Sequence, residues 1–369
     1  EPIPGEYPRR WRIVAPSWRW AVPVVWARYS WCPCDSVDHV MIEKGMHALL
    51  LFSLIVGCEK PTTIDEACPK RTPGENKVSA EAAETLQRIN CYRKLAGLSS
   101  GKAHPAVTEV SEAHVAYMEA NDFDASMFSS DLWMAEEPTA EGFTGEDIWK
   151  RLHYKGFKSD NSLEFGAWLL GAISPLRRSA MVDYWVQEPK VREMFLQPGW
   201  RGAGYAELPA PGESKNQMYY TELDVVYRFP SSAHSAQPIV YPVHNQVDVP
   251  TQISTFGALT DYDTELEHVG YPITVTVSSA ESDVVSYDEP NPYGLFEVEA
   301  TLDGPQGSVE LLRVYPPALR HSIAFVPEEP LEPGAEYLFE ATVEWNARRR
   351  SVYSYFTTAS SSPEQEDTQ

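Results

Sequence analysis

The sequence predicts an α+β chain, with helices and strands in its first half and strands alone in its second. Three observations carry this. Between Val78 and Phe229, cap signals and apolar spacings of three and four alternate with strand-like runs. From Ile239 onward, seven short β-prone runs are divided by turn signals at Asn291–Pro292, Asp303–Gly304 and Pro333–Gly334. The 369 residues suffice for two domains, each with its own core.

The formal net charge of −23 argues against nucleic acid and anionic membrane surfaces as partners. Thirty prolines and nineteen tyrosines beside only five cysteines describe turn-rich, β-rich extracytoplasmic material without a dense disulfide scaffold. No phosphate-binding loop, dinucleotide fingerprint, Gly-x-Ser-x-Gly elbow or His-Glu-x-x-His pair is present, so no cofactor is expected.

Residues 1–45 hold five of the eleven tryptophans among arginines and prolines, and read as an extension foreign to the fold or disordered. Cys32–Pro33–Cys34 has no second cysteine pair to complete a metal site. Residues 46–57 then form a signal-peptide pattern, whose apolar run Ala48–Val56 is too short to span a bilayer. Ile55–Val56–Gly57–Cys58 resembles the bacterial lipobox. That resemblance implies cleavage before Cys58 and acyl chains on its sulfur, which would anchor the chain to a membrane of the cell envelope. Residues 58–77 read as a polar tether, and Cys68 within it either pairs with Cys91 or leaves Cys91 a buried free thiol.

Residues 78–230 form the first domain. Ser79 caps a helix whose apolar stripe is Ala82, Leu86 and Ile89 and which Gly97 ends. A second helix starts near Pro105 with Val107, Val110, His114, Tyr117 and Met118 on one face, which favours a hydrogen-bonded core role for His114. Phe123–Glu141 reads as a polar loop, and Trp149–Gly156 as a helix carrying His153. Ser174–Pro175 starts another helix that runs through Trp185 to Glu188, and Pro189 breaks it before Lys190–Leu196. Gly202–Tyr205 and Tyr219–Tyr227 read as strands, the first needing small residues for close packing.

A hinge at 231–237 leads to a second domain, 238–359, with strands at Ile239–Val243, Ile273–Val277, Leu295–Ala300, Val309–Val314, Ser322–Phe325, Tyr337–Trp345 and Val352–Thr357. Arg348–Arg350 is a basic run in a very acidic chain and reads as a solvated turn. Residues 360–369 read as a disordered acidic tail.

Trp185, Pro189, Arg192, Phe195–Leu196, Pro198 and Gly202–Ala203–Gly204–Tyr205 stand in the order and spacing of a known signature. They resemble the bacterial form of the CAP superfamily, the cysteine-rich secretory, antigen-five and pathogenesis-related proteins. Leu86–Leu98, His104–Asn121 and the Glu141–Gly145 loop resemble other parts of that domain. The resemblance covers about Val78–Phe229 and implies an α-β-α sandwich. Leu331–Tyr337 and Tyr355–Thr358 similarly resemble the last hairpin of bacterial Ig-like domains, which implies a β-sandwich for the second half.

The CAP resemblance also implies a cavity of two histidines and acids. Glu164, in Ser162–Gly166, matches the family's Gly-Glu-Asn acid, and Glu188 stands where animal members place a second one. Val191 occupies one histidine position, and Asp122, Asp124 and Asp131 lie where the other is usual. Carboxylates without imidazoles hold zinc poorly, so no metal is expected. The expected function is a lipid-anchored, non-catalytic binding module with an unidentified envelope or surface ligand. The alternative is a hydrolase of peptide or cell-envelope material using Glu164 as general base.

Overall fold

The computed structural model describes residues 61–123, 135–157, 163–173, 178–209, 218–228, 237–254, 268–277, 296–314, 322–345 and 348–360, with backbone alone along 163–173. The extension, the signal-peptide pattern, Cys58, most of the hinge and most of the tail lie outside these residues. Among the described residues no helix is long and apolar enough to cross a membrane. The chain is α+β, and residues 57–369 form one compact unit.

The stretch read as a tether holds the first of the described contacts. Thr62 donates its N–H to the Asn245 carbonyl at 2.9 Å and accepts that of Val247 at 3.2 Å. Helix α1 (Ile64–Ala67) follows, closed by a reciprocal cap between Thr63 and Glu66. Cys68 is disulfide-bonded to Cys91, 23 residues on, which settles the two readings of that pair in favour of the bond.

Helix α2 (Ala80–Leu95) starts where Ser79 Oγ accepts the Ala82 N–H at 3.1 Å, and it ends before Gly97 at φ +71°. Helix α3 (Pro105–Ala120) begins with the proline, whose missing N–H has no helical partner to lose. Asp147 caps α4 (Ile148–Tyr154). Strand β1 (Leu163–Ile173) precedes α5 (Arg178–Trp185) and α6 (Pro189–Leu196). Pro189, read as a break ahead of the second helix, is that helix's first residue, since a first turn has no use for its N–H. Residues 174–177, the expected helix start, are outside the described set.

Strands β2 (Trp200–Pro209) and β3 (Met218–Arg228) join β1 in an antiparallel sheet of order β1-β3-β2. The central strand β3 is covered on both faces. Tyr220 and Val226 pack with residues of α3 and α4, while Leu223 and Val225 join Leu86, Ile89, Val182 and Phe195 of α2, α5 and α6. The expectation of small residues on β2 holds at Gly204, where a Cβ would lie 2.3 Å from the Thr108 backbone nitrogen.

Among the described residues the second half is entirely β, but its strands differ in detail from those expected. Strands β4 (Ile239–Tyr241), β5 (Gln246–Val249), β6 (Gln252–Ser254), β7 (His268–Gly270) and β8 (Ile273–Thr276) fill its start. Of these, β5, β6 and β7 lie outside the runs expected from the sequence. The single strand expected at Val309–Val314 is two. After β9 (Phe296–Gly304), β10 (Gly307–Val309) pairs with β9, and β11 (Leu311–Val314) pairs with β12 (Ser322–Pro327). The chain changes sheet at Glu310, and an apolar run cannot reveal which neighbour its backbone meets. Strands β13 (Glu336–Trp345) and β14 (Arg348–Thr358) form a hairpin ladder. The Arg348–Arg350 run therefore belongs to a strand and not to the expected turn, because the ladder continues from Trp345↔Arg348. One sheet runs β10-β9-β13-β14-β5 and the other β11-β12-β8-β4, with a small β6-β7 pair beside them. Phe325 of one large sheet meets Phe339 of the other, ring centroids 5.6 Å apart.

Arg192 of α6 joins the two halves. Its guanidinium lies between the rings of Tyr241 and Tyr271, 4.8 and 4.9 Å from their centroids. It donates to the carbonyls of Val186 at 2.8 Å and Gln187 at 3.3 Å, and to that of Pro272.

Candidate functional site

The densest ionisable cluster sits between β3 and helices α3 and α4. On β3 the pleat puts Glu222 and Asp224, two residues apart, on one face. Helix α3 brings Ser111 and His114, close to one turn apart, to the same place, and α4 brings Arg151. The loop before α4 supplies Glu136. All six are buried, at 0 to 2 % exposure.

The contacts form a chain. Ser111 Oγ donates to Asp224 Oδ2 at 2.8 Å. Arg151 Nη2 lies 3.6 Å from Glu222 Oε1, and its Nε lies 3.9 Å from Glu136 Oε1. His114 Nδ1 is 3.0 Å from that same Glu136 oxygen. A carboxylate only accepts, so Nδ1 carries the proton. Glu136 also accepts the N–H groups of Thr144 and of Gly145, the latter at 3.0 Å, and the Thr144 hydroxyl at 3.1 Å. It thereby fixes the loop that enters α4.

Burial pushes Glu222 well above the usual carboxylate range, and the neighbouring Asp224 charge adds to this while Arg151 opposes it. Burial also raises Asp224, to about 6, against the pull of Arg151 and Ser111. The pair therefore holds a proton more readily than two free carboxylates would. For Glu136 burial acts upward too, but the His114 bond, the Thr144 and Gly145 amides and Arg151 prevail and hold it below its ordinary value.

Two residues named from the sequence lie elsewhere. Glu164 is in β1, at the register position opposite Tyr227; its side chain is outside the described set. Glu188 is the half-buried residue that opens α6, and its side chain caps no N–H. Val191 is buried in the apolar cluster with Trp185 and Phe195. Asp124 and Asp131 are outside the described residues. His114 is the buried, hydrogen-bonded histidine that its apolar helix face suggested.

Glu136, Arg151, Glu222 and Asp224 were not singled out by sequence reasoning. In Thr221–Val226 two acids alternate with apolar residues, a pattern usually read as a solvated strand face. Only the covering of β3 on both faces turns it into a buried pair. Among the described residues, no three histidine, cysteine or carboxylate side chains converge to hold a metal ion. No family model matches this chain, and no curated protein is detectably similar to it.

Proposed function

We propose that the chain is an extracytoplasmic binding module, held to a membrane of the cell envelope through acyl chains on Cys58. In this reading a CAP-like α/β half, which does no chemistry of its own, is joined to an Ig-like β-sandwich. The observation that carries the proposal is the sealing of the ionisable cluster. Its histidine, its arginine and its three carboxylates are closed off from solvent, with His114 bonded to Glu136 and Arg151 beside Glu222, so a substrate atom has no open way to them. The methyl groups of Val191 fill the core at the position where the resemblance would put a metal-binding imidazole. The Cys68–Cys91 disulfide supports an oxidising compartment, and the covering of β3 by helices on both faces supports the CAP-like reading.

The test is a thermal-shift titration of the chain with Zn²⁺, Mg²⁺ and Ca²⁺, beside the Glu164→Ala variant. A metal that binds the folded state raises the midpoint by mass action. The expected outcome is the same response in both proteins. A rise seen only with Glu164 present would overturn the non-catalytic reading and favour hydrolysis with Glu164 as base. The anchor is tested separately by detergent phase partition of the protein made in a bacterial host. The parent chain should enter the detergent phase, and Cys58→Ala should move to the aqueous one.

A further inference from the structure

We propose that the outer edge of β14, from Arg349 to Tyr353, docks an extended peptide with an acidic end. The peptide adds as a strand in line with β5. The inner edge of β14 is paired with β13 along its whole length, from Arg348 to Thr357. Its outer edge meets β5 only at Phe356 and Thr358. The direction of the remaining groups follows from Tyr355. That residue gives its N–H to His244 Nδ1 at 3.2 Å, and its carbonyl takes the Asn245 N–H at 2.6 Å, so its backbone faces outward. Successive residues of a paired strand alternate in this respect, so Arg349, Ser351 and Tyr353 also direct N–H and C=O outward. Among the described residues no backbone group meets them, and the contact made to them by a side chain is a long one, from Arg350 Nη1 to the Arg349 carbonyl at 3.4 Å. An unpaired row of this kind is a template for another strand.

The edge opens onto a groove of about 620 Å³, lined by Leu95, Leu98, Pro198, Ile239, Val243 and Tyr353 among others. Tyr353 is 60 % exposed although its ring stands edge-on to His244, centroids 5.0 Å apart. Alternate side chains of an added strand would enter this groove and meet Tyr353 there.

Charge chooses the occupant. Arg349 and Arg350 are both exposed at one end of the strip, on a chain whose net charge is −23. The Arg349 side chain is 68 % exposed and, among the described residues, pairs with Glu344, itself half exposed, at 3.0 Å, and such a pair is held weakly. Among the described residues no carboxylate lies within ion-pair distance of Arg350. A peptide ending in aspartates would complement this end, whereas a second copy pairing antiparallel along the same strip would set its Tyr353, and no carboxylate, against Arg349.

The proposal rests on the reading of the chain as a binding module, and the metal titration tests that reading independently of this edge. The probe is fluorescein-labelled Asp-Asp-Val-Thr-Val-Thr-Val, titrated with the full chain and followed by fluorescence anisotropy. Saturable binding is expected, weakened about tenfold or more by Ser351→Pro, which removes an outward donor and places a ring on the edge. Arg349→Glu with Arg350→Glu should weaken it comparably at low salt and less at high salt. Those two side chains are exposed, so their replacement leaves the packing intact, and near-UV circular dichroism confirms the fold of Ser351→Pro. Absence of saturable binding, or binding that both variants keep, would overturn the proposal. So would sedimentation of the parent as a dimer that Ser351→Pro converts to monomer, because the occupant would then be a second copy.

Discussion

The two halves treat buried polarity in opposite ways. Among the described residues, the α/β half buries Arg93, His114, Glu136, Arg151, Arg192, Glu193, Glu222 and Asp224. The β half buries polar residues as well, but they are Gln246, Thr251, Thr274, Thr276, Ser322, Ser354 and Thr358, none of them charged. Hydroxyls and amides are satisfied by one or two neighbours, as when Thr276 meets Ser322 at 2.7 Å or Ser354 donates to the Pro242 carbonyl at 2.6 Å. An ion in the interior needs a counter-charge or several dipoles aimed at it. The difference teaches that the α/β half depends on the exact set of its ionisable partners, while the sandwich depends on its apolar faces.

Within the α/β half the arginines divide again. Arg151 is balanced by carboxylates. Arg93 is held by the carbonyls of Ser99, Phe195 and Gln197 and by the face of Trp200, and burial lowers it to about 9. Arg192 is held by carbonyls and two tyrosine rings. Carbonyls do not titrate and burial raises the Tyr241 and Tyr271 phenols further from neutrality, so pH sensitivity below pH 8 should gather at the carboxylates facing Arg151.

The largest expected effect follows from removing that arginine. Arg151→Met keeps the bulk but leaves three buried acids without their cation, and should cost about 3–5 kcal/mol in urea denaturation. A loss under 1 kcal/mol would show that the cluster is not held by its ion pairs. The junction comes next. Arg192→Lys keeps the charge but cannot fork to three carbonyls or lie flat between two rings, which should cost about 2 kcal/mol. Calorimetry should then resolve two unfolding transitions where the parent shows one, and a single sharp transition would mean that other contacts couple the halves.

The smallest effect is a difference in pH response. Asp224 sits at about 6 in the folded chain against an ordinary 3.8, so between those values the folded state binds more protons than the unfolded. Its contribution is present below that window and is lost as pH rises through about 6. From pH 7 to pH 5 the parent should gain about 1 kcal/mol relative to Asp224→Asn. Thr276→Val in the sandwich should keep a constant difference from the parent across that range. An equal slope in both comparisons would remove the distinction between the halves.

Much of the fold was legible because local chemistry decided it. Ser79 and Pro105 mark helix starts whatever the tertiary context, and the alternation of Tyr219–Tyr227 marks a strand. The site was less legible. Glu136 lies in a stretch read as a polar loop, and its burial depends on His114, Thr144 and Arg151 arriving from separate elements. The Arg348–Arg350 run suggested a turn because charge signals exposure, yet an exposed strand is as compatible with charge as a turn is. Glu164 was chosen by family resemblance, which locates a letter in the chain but not the neighbours around it.

The attachment of Thr62 has a mechanical consequence. Among the described contacts, a pull on the N-terminus would first load the paired backbone at Asn245 and Val247. Should that contact yield, the chain could pay out only the stretch to Cys68, about 20 Å at full extension, before the tension reached a covalent bond to α2. The α/β half would then bear the load through a cross-link, with its hydrogen bonds downstream of the stop.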